Sequence, residues 1–187
     1  MNQSIRALAL AAGLLVATAA SAVAVSEKKA QQLWEPIGAV LASPRCSNCH
    51  SSTEFPRQLD TRDRHQQMVV RGSDDNGAAT LKCATCHQTT NSGDNGMVPG
   101  SAGWHMPPVA MGWDGLSSAQ LCKAITTPAT NGNRKTPKLI VNHMLVDPVV
   151  LWAWKPGGER TLPPMSYALF SQALRAWEKA GVPCPTQ

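Results

Sequence analysis

Strict alternation of apolar and polar residues is scarce in this 187-residue chain, so little in it reads as strand. It has no cluster of basic residues either. The 17 Lys and Arg outnumber 12 Asp and Glu by five, but they are spread out and give nucleic-acid binding little support. After the first twenty-five residues no apolar run is long enough to span a bilayer. Tyrosine and phenylalanine are sparse, at one and two, whereas there are six tryptophans. Most of these are expected in the core or against a flat prosthetic group, where an indole N–H can also bond a carboxylate.

Charge is also missing between Arg6 and Glu27, where Ala, Leu and Val dominate and the small-residue sites Ala20-Ser21-Ala22 and Ala22-Val23-Ala24 follow. This is the pattern of a secretory signal peptide over residues 1–24, cleaved after Ala22 or Ala24. The competing reading is an uncleaved anchor, which the Ala, Thr and Ser of the tail weaken. The expected product is an exported, periplasmic protein with no stable membrane insertion, and residues 25–187 suffice for one domain.

What the chain does have is cysteine in a pattern. Of six, four form "CSNCH" (Cys46, Cys49, His50) and "CATCH" (Cys83, Cys86, His87). C-x-x-C-H is the attachment signature of c-type haem. Two thiols reach the two vinyl groups on one porphyrin edge, and the following imidazole becomes the proximal iron ligand. A zinc ribbon also uses two C-x-x-C pairs, but about 15–20 residues apart and without a trailing histidine; here residues 50–82 intervene. A thioredoxin-like pair requires a βαβ context, which is not visible. The expectation is two covalently attached c-type haems, whose four propionates would offset most of the positive charge. The remaining Cys122 and Cys184 meet an oxidising compartment and read as a disulfide, the alternative being two separate buried thiols.

Helical patterns begin at a Ser26 cap and run to Ser43, with Pro36 expected to kink or split them. "RDRHQQMVVRG" (62–72) is read as helical and "GSDDNG" as a turn. Residues 91–115 hold too much Gly and Pro for a long helix or strand, yet Met97, Trp104, Met106, Met111 and Trp113 make them too apolar for a solvated linker. Helices resume from Ser117 or Ser118, over "PKLIVNHMLVD", and from a Ser166 cap to Gly181, the last with Leu169, Phe170, Ala173, Leu174 and Trp177 on one face. The fold class is therefore mostly α: a compact dihaem cytochrome c-like domain with long Gly/Pro-rich loops. At about 15 Å radius of gyration, one such body holds both porphyrins close together.

With His50 and His87 as proximal ligands, the far side of each iron needs a residue. A distal His lowers the reduction potential relative to a distal Met. The candidates rank as His65, then His143 and Met111, with Met106, His105 and Met165 behind.

Beyond the haem motifs, "RDRHQQMVVRG", "LKCATCHQ", "MGWDG", "LC", "NG", "NHM", "WAWKPG" and "W…AGVPCP" follow in order. Over roughly residues 44–185 the chain resembles small exported proteins known as isoquinoline 1-oxidoreductase subunits. That resemblance implies a dihaem cytochrome rather than a catalytic chain, serving a molybdenum hydroxylase whose electrons leave through it. His65, His87, Met111 and His143 fit the pattern of that group; Met106 and Met165 stand outside it. Nothing in the chain resembles a molybdopterin or iron–sulfur domain.

Electron transfer between a periplasmic oxidoreductase and downstream respiratory acceptors is thus the expected function. The alternative is a dihaem enzyme such as a peroxidase or sulfur-compound oxidoreductase. It would need one open iron and acid–base groups above it, such as Glu159 or a spare His. A haem-based sensor would bring an output module, and none is present.

Overall fold

The computed structural model describes residues 25–186; the expected leader and its cleavage sites, residues 1–24, lie outside them. Helical residues make up 44 % and strand residues 9 % of the described chain, so it is mostly α. None of its helices is long and apolar enough to cross a membrane.

α1 (Glu27–Ala42) starts where the Ser26 hydroxyl accepts from Lys29 N–H. Pro36 does not split it. The residue whose carbonyl loses its partner is Gln32, on the exposed face where water is available, while Trp34, Ile37, Val40 and Leu41 bury the opposite face. At about 1.5–3 kcal/mol for each large side chain buried, that face outweighs the proline. α2 (Pro44–Ser47) is a short turn that follows at once.

The body is closed by α3 (Ser118–Thr126), α4 (Pro137–Val146), α5 (Pro148–Trp152) and α6 (Tyr167–Lys179). α3 has a capping box in which Ser117 and Gln120 bond each other's backbone N–H. Thr136, Asp147 and Ser166 cap the next three helices. Trp34 and Trp177 meet at the centre, ring centroids 5.4 Å apart, among Val40, Val141, Phe170 and Leu174. Each indole N–H is satisfied, Trp34 by Ser118 and Trp177 by the Pro183 carbonyl. Leu169 departs from its expected place. It is 56 % exposed, because the buried face of α6 runs through Phe170, Leu174 and Trp177. Cys122 and Cys184 stand at disulfide distance, with Cα atoms 5.5 Å apart, and pin the C-terminal segment to α3.

Between α2 and α3 the chain forms three antiparallel pairs: β1 (Arg57–Gln58) with β2 (Asp63–Arg64), β3 (Gly77–Ala78) with β4 (Leu81–Lys82), and β5 (Thr90–Ser92) with β6 (Val98–Ser101). The helix expected over 62–72 is therefore absent. Arg62, Gln67 and Met68 have positive φ, and the backbone bonds outward instead, His65 N–H to the Pro56 carbonyl and Arg71 N–H to that of Glu54. Arg71, nearly buried, fastens this segment through its guanidinium to Asp75 and to the Ser51 and Thr53 carbonyls.

Candidate functional site

Both C-x-x-C-H segments adopt the same single turn. Cys49 N–H and His50 N–H both donate to the Cys46 carbonyl; Cys86 N–H and His87 N–H both donate to the Cys83 carbonyl. A helical turn puts positions i, i+3 and i+4 on one side, so two thiols and an imidazole face the same way at each site. α2 carries the first turn, and a 3-10 turn over Cys83–Thr85 the second.

The two imidazoles are held alike. His50 Nδ1–H donates to the Met111 carbonyl at 2.9 Å, and His87 Nδ1–H to the Pro99 carbonyl at 2.7 Å. A carbonyl only accepts, so each ring keeps its proton on Nδ1 and presents a lone pair at Nε2. Trp113 stacks on His50 with centroids 3.6 Å apart, and Trp104 on His87 at 4.7 Å. A glycine follows each acceptor where backbone comes close. A Cβ on Gly112 would lie 2.5 Å from Ser52 Oγ, and one on Gly100 only 2.0 Å from the Thr90 carbonyl oxygen.

Each turn opens on its own cavity. The first, about 220 Å³, is bordered by Cys46, Cys49, His50, His143, Met144 and Trp152 among others. The second, about 510 Å³, is bordered by Cys83, Cys86, His87, His65, Met106 and Trp104 among others. They are neighbours, since Arg45, Cys49, His105 and Trp152 border both.

The spare histidines divide between them. His65 lies across the second cavity from His87, centroids 6.0 Å apart and rings near perpendicular, its Nδ1–H donating to the Gln66 carbonyl. His143 borders the first cavity, its Nδ1 lying 3.3 Å from Asp147 Oδ2. His105 borders both, with Nδ1–H on the Gly103 carbonyl. Met111 borders the first cavity and is buried. Met165 borders neither; its carbonyl accepts from Trp154. Glu159 likewise borders neither cavity.

Burial pushes the Cys46 thiol up to about 12 and the Cys49 thiol to about 11, and raises Cys83 as well. Redox-active C-x-x-C pairs need a lowered thiol pKa, so a dithiol redox role is disfavoured. Burial also lowers His50 to about 4 and lowers His87, keeping both rings neutral. The cysteines of the two pairs are unlinked. Among the described residues no three or more His, Cys, Asp or Glu side chains converge as a metal cage, so the four thiols do not form the zinc ribbon's tetrahedral set.

Cations are unevenly placed. Arg45, Arg57, Lys82 and Arg160 border the second cavity with no carboxylate among its bordering residues; Arg45 and Arg134 border the first, with Asp147. Arg45 is buried and pairs with Asp60, and its Nε–H finds no hydrogen-bond partner.

Comparison with protein-family models, with curated proteins and with solved structures finds no match.

Arg45, Met144 and Asp147 border the cavities or orient their histidines without having been singled out in the sequence. An Asp four residues after His143 is the one local signal that could have revealed such a pair.

Proposed function

We propose that the chain is an exported dihaem c-type cytochrome that passes electrons between a periplasmic oxidoreductase and a downstream acceptor. One observation carries the reading: each cavity joins a C-x-x-C-H turn to a second histidine, and all four imidazoles have Nδ1 engaged and Nε2 free. Metal-ligating histidines need that second contact to fix tautomer and orientation. His65 and His87 have ring centroids 6.0 Å apart across the second cavity, close enough that both could hold one metal ion through bonds of about 2 Å.

The cavities suit a flat apolar group with two carboxylates. The four cations of the second complement propionates, and the Arg45 Nε–H group is a buried donor without a partner. The first cavity is tighter, so its apolar walls would part around a porphyrin. Two imidazoles for each iron would need no larger cluster of His, Cys or carboxylate.

A bound haem supplies a one-electron iron couple. Cys46 and Cys49, and Cys83 and Cys86, would anchor it through thioether bonds, with His50 and His87 on one side of each iron. His65 would close the second site and His143, oriented by Asp147, the first. Met111 has a second part beside its candidacy as a ligand: its backbone carbonyl accepts from His50 Nδ1, while its side chain borders the first cavity. Trp104 and Trp113 stack on His87 and His50 and would keep those two rings in place whichever charge the iron carried.

A molybdenum hydroxylase is the proposed donor class, on the sequence resemblance alone. The enzyme reading keeps one supporting observation: Arg134, His143 and Asp147 share the first cavity, a cation and an acid–base pair that an open iron could use. Titration with CO on reduced protein and cyanide on oxidised protein separates the two. The carrier binds neither stoichiometrically. Stoichiometric binding at one iron would support the enzyme.

A further inference from the structure

The two cavities have one charged side chain in common. Arg45 borders both, directly precedes the first attachment cysteine, and is 2 % exposed, whereas its partner Asp60 is 37 % exposed. Asp60 is itself held from outside by the Thr161 N–H. Water screens the carboxylate more than the guanidinium, so Asp60 offsets only part of the Arg45 charge inward. Arg45 Nε–H, buried without a partner, adds a donor that the protein leaves unspent. The other cations are divided: Arg57, Lys82 and Arg160 border only the second cavity and Arg134 only the first.

We propose that Arg45 is the shared electrostatic positioning residue of the two haem sites, one fixed positive charge that raises both reduction potentials together. The inference rests on the dihaem reading. Reduction adds one negative charge at an iron, and a buried cation nearby favours that state, more so in a low-dielectric interior than in water. A side chain that only fastened residue 45 to the 57–64 hairpin would leave both potentials nearly unchanged once the protein had folded.

The test is a spectroelectrochemical titration of the purified, haem-loaded protein, with intact mass taken on every variant. In Arg45→Gln the mass should still report two haems, and both midpoint potentials should fall, by about tenfold in each one-electron equilibrium, equivalent to 59 mV. Arg45→Lys should restore most of the shift, and Arg134→Gln should move only one potential. Asp60→Asn removes the opposing charge and should raise both. If Arg45→Gln does not load or fold, Asp60→Asn decides alone. A shift confined to one haem, or none in Asp60→Asn, overturns the inference. A wild-type mass without two haems instead refutes the dihaem reading beneath it.

Discussion

His65 and His87 face each other across the second cavity, so His65 offers the cleanest single-residue test of ligation. His65→Ala should open one iron, producing a high-spin fraction in the absorption spectrum and new CO binding. A Met106 substitution should do much less, since Met106 is buried against the cavity wall with no second contact of the kind the histidines share. Equal effects of the two would remove His65 from the ligand set. Asp114 makes a separate prediction about stability. Burial would raise its pKa, but the Ser52 N–H at 2.8 Å, Arg62, Ser51 and Arg57 win, and the carboxyl is held below its ordinary 3.8. Its stabilisation is therefore complete above about pH 4 and lost as pH falls through the lowered value. Asp114→Asn should cost on the order of 1–3 kcal/mol at neutral pH. Denaturant unfolding of wild type and variant should converge in acid; a gap that persists below pH 2 would contradict the assignment.

β6 carries the Pro99 carbonyl that orients His87, and Gly100 lets it lie against β5. Gly100→Ala would force the strands apart, because the new Cβ meets backbone and not a flexible side-chain tip. Overpacking of this kind costs about 1–3 kcal/mol, so a lower Tm is expected, with a shift in the spectrum of one haem but not the other. An unchanged Tm would mean that the pair yields without strain. The helices were legible from the sequence because their signals are local: Ser26, Ser117 and Ser166 cap where apolar spacing begins. The two C-x-x-C-H turns were legible for the same reason, with every residue within five positions. The segment around His65 was not. Its apolar and polar residues fit a helical period, and Arg62, Gln67 and Met68 give no glycine-like sign of their positive φ. What decides its shape is pairing with residues 54–58, a tertiary fact. Pro36 misled in the opposite direction, since a buried face overrode a local breaker.

At the scale of the whole molecule, a helical body and a hairpin-rich region each contribute a cavity, and Arg45, Cys49, His105 and Trp152 join them. Which histidine borders which cavity was invisible in sequence order: His65 follows the first motif but borders the second cavity. In the shared wall Trp152 meets Trp104 edge-on at 4.9 Å, so on the dihaem reading electrons would cross only that wall. The Cys122–Cys184 pair, 62 residues apart in sequence, closes the helical body. Its removal should lower stability by on the order of 4 kcal/mol in the chain-entropy account. Non-reducing peptide mapping should recover the linked peptides, and alkylatable thiols at both positions would contradict it. The central claim is two covalent haems in one chain. Acid–acetone extraction of the exported protein followed by intact-mass analysis tests it most directly: the colour should stay with the polypeptide and the mass should exceed that of the mature chain by two haems, mapped to Cys46/Cys49 and Cys83/Cys86, whereas haem released into the solvent, or a mass carrying one addition or none, would contradict the account.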